Sequence, residues 1–277
     1  MLPREEYIEQ AFFFRTALAR TRENIPMQEL LLGVREEVLA TTNLPFAIDF
    51  MLDALRHTGQ LADAMKKLGH YFTPFQTYVI AEAEDERRRF DIRVALLILE
   101  REAQYRADGC TRAGLFVYQF ETLCRNRLRY DRGLGAAAED PWYDADWKKW
   151  ILHVRHQIGL VDFADLVTLR SEHYVTRKKQ QRREDFTPPE PVLFGEKEGR
   201  IALANRQKDP LLLFAALQRQ LGYPKVPLPE RPDEVSQQLP RLIRLVEQLN
   251  RRVKMLEEES REGAVDLKKL ERDILGE

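Results

Sequence analysis

The chain has 277 residues, 44% of them hydrophobic, enough for a proper core in one large domain or two ordinary ones. Its 44 Lys+Arg against 45 Asp+Glu leave a net charge of -1, which excludes a global field drawing it to nucleic acid or an anionic membrane; such binding would need a local patch. Only two cysteines, Cys110 and Cys124, exclude a disulfide scaffold or a Cys-rich zinc site and suit a reducing cytosol.

The N-terminal residues through Tyr7 lack a basic then apolar leader, and the most apolar short run, Val94 to Leu99, falls far short of the roughly 20 residues of a bilayer span. The expectation is a soluble, unexported, cytoplasmic protein. With low Gly and Pro and abundant Leu, Arg, Glu and Ala, helices are favoured over sheets.

Pro3 opens the first helix, which runs to about Asn24, and Pro26 opens the second, with Leu30, Leu31, Val34, Val38 and Leu39. Asn43 and Pro45 start a third, broken at Gly59 before a short helix ending near Gly69. Thr73-Pro74 is the best start signal, and from it an unbroken pattern predicts one helix of about 33 residues to Asp108-Gly109, roughly 50 Å long at 1.5 Å per residue, with a kink or break near Phe90 as the alternative. Thr111 caps a helix to Asp131, ended by Gly133 and Gly135. Asp144 or Asp146 starts another to Gly159, and Asp162 caps one whose tail runs into Arg177 and Lys178. Trp142, Tyr143, Trp147 and Trp150 are expected to form an aromatic cluster.

Thr187 to Pro191 must be extended, because proline fixes φ and restricts the residue before it, so a subdivision is possible near 187–197. Helices are then expected from Gly199 to Arg206 and from Asp209-Pro210 to Gly222. Four prolines between Tyr223 and Pro232 mark the clearest boundary. The reading is an all-α protein: a body of about nine helices over 1–222, a Pro-rich linker over 223–232, and a C-terminal helical arm over 233–277.

The arm differs in kind. Leu242, Val246, Leu249, Val253 and Leu256 alternate spacings of four and three, a heptad seam with Val at a and Leu at d that favours a parallel two-stranded coil. Arg252 at g and Glu257 at e make an attractive pair across it. Ile243 and Leu245 widen the apolar surface of the first turn, and Gly263 favours a break beyond. This segment is the expected protein-interaction site, with a homodimer as the leading assembly and packing on the body as the alternative.

Chemistry has few candidates. His153 and His156 share a helix face, and Asp162 and Asp165 follow Gly159, so the four could converge on a cation if the chain reverses there. The simpler account makes the aspartates caps and the histidines surface residues. No histidine has a glutamate three residues before it, which excludes a carboxylate-bridged di-iron bundle. Glu82 and Glu86 interrupt the apolar stripe of Phe75, Val79 and Phe90, where Arg87, Arg88, Arg89 and Arg93 offer ion pairs, and Glu82 with His70 is a second enzymatic option.

Two basic helix ends complete the set. Arg125, Arg127, Arg129 and Arg132 surround Tyr130, while Arg177, Lys178, Lys179, Arg182 and Arg183 follow Tyr174, so either could meet phosphates with a ring to stack on a base. Cations at helix C-termini also simply complement the dipole, and the neutral chain argues against nucleic acid. Neither Ser171 nor Cys124 sits in a nucleophile context, no phosphate-binding loop is present, and no cofactor is implied. The expected function is a non-catalytic cytosolic scaffold or adaptor working through its C-terminal heptad helix; the alternatives are a helical enzyme or metal-binding protein with an interhelical His/Asp/Glu site, and a nucleic-acid-binding protein.

Overall fold

A computed structural model describes residues 2–23, 25–85, 87, 90–182, 186–229, 243–247 and 249–250. Met1–Pro229 forms one unit and Glu230–Glu277 a second. The first is all-α, with thirteen helices among its described residues: α1 (Arg4–Arg22), α2 (Met27–Arg35), α3 (Leu44–Thr58), α4 (Leu61–Lys67), α5 (Pro74–Glu84), α6 (Ile92–Ala107), α7 (Arg112–Arg125), α8 (Tyr130–Ala138), α9 (Ala145–Gln157), α10 (Phe163–Leu169), α11 (Glu172–Arg182), α12 (Glu196–Ala204) and α13 (Pro210–Leu221). No helix among the described residues is long and apolar enough to cross a membrane.

Local caps set most of the starts. Thr73 makes a reciprocal capping box with Gln76 at the head of α5. Asp91, Thr111, Asp144, Asp162 and Asp209 each accept a backbone N–H from the first turn of the helix that follows. Gly59 and Gly222 stop α3 and α13 in the left-handed region, at φ 71° and 67°, which glycine enters without a Cβ penalty.

Among its described residues the body holds thirteen helices where about nine were expected, because long-range contacts divide three of the predicted segments. The expected 33-residue helix is two: α5 ends at Glu84 and α6 begins at Ile92, with Asp91 capping the second and Phe90 buried between them. Arg129, from the α7–α8 turn, pairs with both Glu82 and Asp85 at the break. Gly133 and Gly135 lie inside α8 instead of ending the helix before it. A Cβ on Gly133 would stand 2.5 Å from Leu123 Cδ2, so only glycine lets α8 lie against α7 there. The third division, at Arg170 and Ser171, arises where the segment after the prolines returns: Leu193 and Phe194 N–H both donate to the Arg170 carbonyl, and Glu172 N–H donates to that of Phe194.

Distant helices pair as α1 with α6 and α10 with α12, and consecutive ones as α2 with α3 and α8 with α9. Phe13, Phe14, Phe72 and Phe75 fill the first part of the core. In the second part, Tyr143, Trp147 and Trp150 cluster as expected, Trp142 is only partly buried at the edge of the core, and Phe116 and Phe194 complete the cluster from α7 and from beyond the prolines. Phe194 lies 5.3 and 5.2 Å from the Trp147 and Trp150 ring centroids, edge-on to both. It ties 187–197 to the same core.

The expected linker also begins later than its prolines suggested. Tyr223 and Val226 are buried, and the Tyr223 hydroxyl lies 2.6 Å from Glu121 Oε2. Asn126 donates to the Pro227 carbonyl, and Arg101 to that of Lys225. Residues 223–229 therefore belong to the body.

Candidate functional site

The described part of the C-terminal segment, 243–247 with 249–250, is helical. Leu242, Val253 and Leu256 lie outside the described residues. Val246 and Leu249 are each 55% exposed, and Ile243 and Leu245 are exposed to about the same degree. Four large apolar side chains thus meet water within two turns, and because each is about half exposed, about 1 kcal/mol is at stake for each one that a partner covers.

The histidine–aspartate set does not assemble. Asp162 caps α10 through Ala164 N–H at 3.0 Å and accepts from Gln207 N–H at 2.7 Å with its other oxygen. Asp165 pairs with Arg206. His153 and His156 are exposed on α9. Among the described residues no three His, Cys, Asp or Glu side chains lie close enough to hold a metal ion. Glu82 is buried, with Arg129 Nε 2.6 Å from its Oε1, while His70 is exposed. Glu86, Arg88 and Arg89 lie outside the described residues. The Ser171 hydroxyl donates to the Thr168 carbonyl and accepts from Tyr174 N–H, so it caps α11.

The basic helix ends are divided by their surroundings. Arg125 is held by Glu121, and Arg129 by Glu82 and Asp85. Arg177 and Lys178 instead line a groove of about 520 Å³ between α10, α11 and α12. Its apolar side is Val161, Leu169 and Leu203, and Arg206 joins it from the turn after α12. Lys178 Nζ sits 5.6 Å from the Tyr174 ring centroid, a cation–π contact. Lys179 is exposed and lines a different hollow; Arg183 and the Arg182 side chain lie outside the described residues. Arg206 had no local signal, because it joins the groove only when α12 packs on α10.

The strongest electrostatic feature escaped the sequence. Arg106 is fully buried between Glu102, one turn before it on α6 at 2.7 Å, and Asp140, from the α8–α9 turn. Gln119 donates to Glu102 at 2.9 Å and accepts from the Tyr143 hydroxyl at 2.9 Å, while Asp140 also accepts from Trp142 N–H. Two carboxylates share one guanidinium in the buried interior. Burial holds the Glu102 carboxyl above the ordinary range despite the opposing pull of Arg106, with the Asp140 charge pushing the same way as burial. Burial also pushes the thiol of neighbouring Cys110 up to about 12, which keeps it an unreactive thiol at neutral pH. The i, i+4 spacing of Glu102 and Arg106 was visible; Asp140, 34 residues further on, was not.

No family model, curated protein or solved structure matches this chain.

Proposed function

We propose that the chain is a non-catalytic helical scaffold whose C-terminal heptad helix pairs with the same segment of a second copy. The observation that carries this reading is the exposure of Val246 and Leu249, the a and d residues of one heptad, beside Ile243 and Leu245. A helix this apolar is stable in water only when its seam is covered. Val at a and Leu at d select two parallel strands, so the assembly is a homodimer with both bodies attached at the same end of the coil.

Light scattering coupled to size exclusion tests it, on the full chain and on a chain ending at Pro229. The end is placed there because Tyr223 and Val226 are part of the core. The expected masses are twice 32.6 kDa for the full chain and that of a monomer for the shortened one. A monomeric full chain refutes the proposal.

The groove of α10, α11 and α12 favours a second reading, contact with a polyanionic chain, because Arg177 and Lys178 line it beside Tyr174, while Arg206 is already paired with Asp165. Titration with a fluorescent oligonucleotide distinguishes it. Binding that falls steeply with salt and is lost on Arg177→Glu with Lys178→Glu supports this reading, and salt-insensitive or absent binding removes it.

A further inference from the structure

Elsewhere in the body, α4, α5, α8 and α9 line an open cleft of about 460 Å³. That volume falls within the roughly 300–1,000 Å³ of sites that take small organic molecules. The floor is apolar and partly aromatic: Phe72, Pro74, Tyr78, Ala81 and Ala136. Polar groups in the walls are already engaged within the protein. The Thr77 hydroxyl donates to the Thr73 carbonyl at 3.2 Å, and the Tyr78 hydroxyl to that of Arg129 at 2.9 Å.

The gap follows from how α8 is seated. Gly133 lets α8 approach α5 so closely that an added Cβ would be 3.0 Å from the Tyr78 ring. Gly135 and Ala136, beside it, are too short to fill the space that this approach leaves, and Arg155 from α9 lies across Gly135.

The rim is charged and unevenly paired. Arg155 Nε lies 2.6 Å from Asp131 Oδ1, and those two charges satisfy each other. Lys66, Arg132 and Glu139 remain, all exposed, a surplus of one positive charge over an apolar floor. Neither Lys66 nor Arg132 takes part in an ion pair among the described residues.

We infer that this cleft binds a small organic anion with an apolar, ring-bearing body. The body lies against Phe72 and Tyr78, where aromatic faces favour another ring. The anionic group meets Lys66 and Arg132, whose charge-assisted hydrogen bonds fix its orientation. The proposal is independent of self-association: all of its residues lie in the body.

The test uses 8-anilinonaphthalene-1-sulfonate, an aromatic sulfonate whose emission rises in apolar surroundings, titrated into the full chain. The expected result is saturable binding at one site per chain. Ala136→Phe and Ala81→Leu fill the floor from two sides, and each abolishes the saturable signal while the helical circular dichroism is retained. Lys66→Glu combined with Arg132→Glu weakens binding about tenfold or more, as loss of hydrogen bonds to a charged group implies. Those two residues are exposed, so their reversal leaves the fold intact and decides the matter even where a filling variant unfolds. Absence of saturable binding, or unchanged affinity in the charge-reversed variant, overturns the inference.

Discussion

Two regions of this molecule carry the same apolar rhythm and treat it in opposite ways. In α2, Leu30, Leu31 and Val34 repeat at helical spacing and are buried against the rest of the body. In the C-terminal helix, Val246 and Leu249 repeat at the same spacing and are more than half exposed. The first pattern is answered within one unit of the chain; the second asks for a surface to cover it. The comparison teaches that periodicity announces a buried face without saying who buries it.

If the body is a self-sufficient core, breaking its buried charges is the most damaging change. Arg106→Ala strands Glu102 and Asp140 without their shared cation and is expected to cost about 3–5 kcal/mol, read as a fall in the chemical denaturation midpoint. A loss comparable to that of an exposed substitution would mean that the network contributes little.

Next in size is the edge of the body. Tyr223→Phe removes the hydroxyl bonded to the buried Glu121 carboxylate and is expected to cost about 1–3 kcal/mol. By the same token, a chain ending at Gly222 melts below one ending at Pro229. Equal melting temperatures for the two would show that 223–229 adds nothing to the core.

A subtler change sharpens the account of Glu102. Because burial raises its folded pKa above the ordinary 4.5, the native state keeps a proton that the unfolded chain releases. Its stabilising contribution is complete below pH 4.5 and is lost as pH rises through the folded value. Glu102→Gln imitates the protonated form, so the melting temperature of this variant declines less than that of the wild type from pH 4.5 upward. Parallel curves for the two proteins would show that Glu102 is ionised in the core.

Legibility in the sequence followed the range of the interaction. Starts at Thr73, Thr111, Asp144, Asp162 and Asp209 were readable because a cap involves residues two or three apart. The break near Phe90 was readable only as the alternative to one long helix, since a run rich in Glu and Arg suits a helix and Arg129 acts there from 44 residues away. Likewise the division at Arg170 depends on Phe194, and the prolines after Gly222 spoke for a linker where Tyr223 finds a buried partner. Arg177 and Lys178 were visible as a charge cluster, but the groove they line exists only through Arg206 and Leu203. The cleft beside α8 left no motif, because its floor and rim come from four helices and gain meaning only when packed together.

The most direct test of the central claim is the solution mass of the full chain carrying Val246→Glu together with Leu249→Glu. Both positions are exposed, so the melting temperature of the body should stay at the wild-type value. The account predicts a dimer for the wild type and a monomer of 32.6 kDa for the variant. A dimeric variant, or a monomeric wild type, would contradict it.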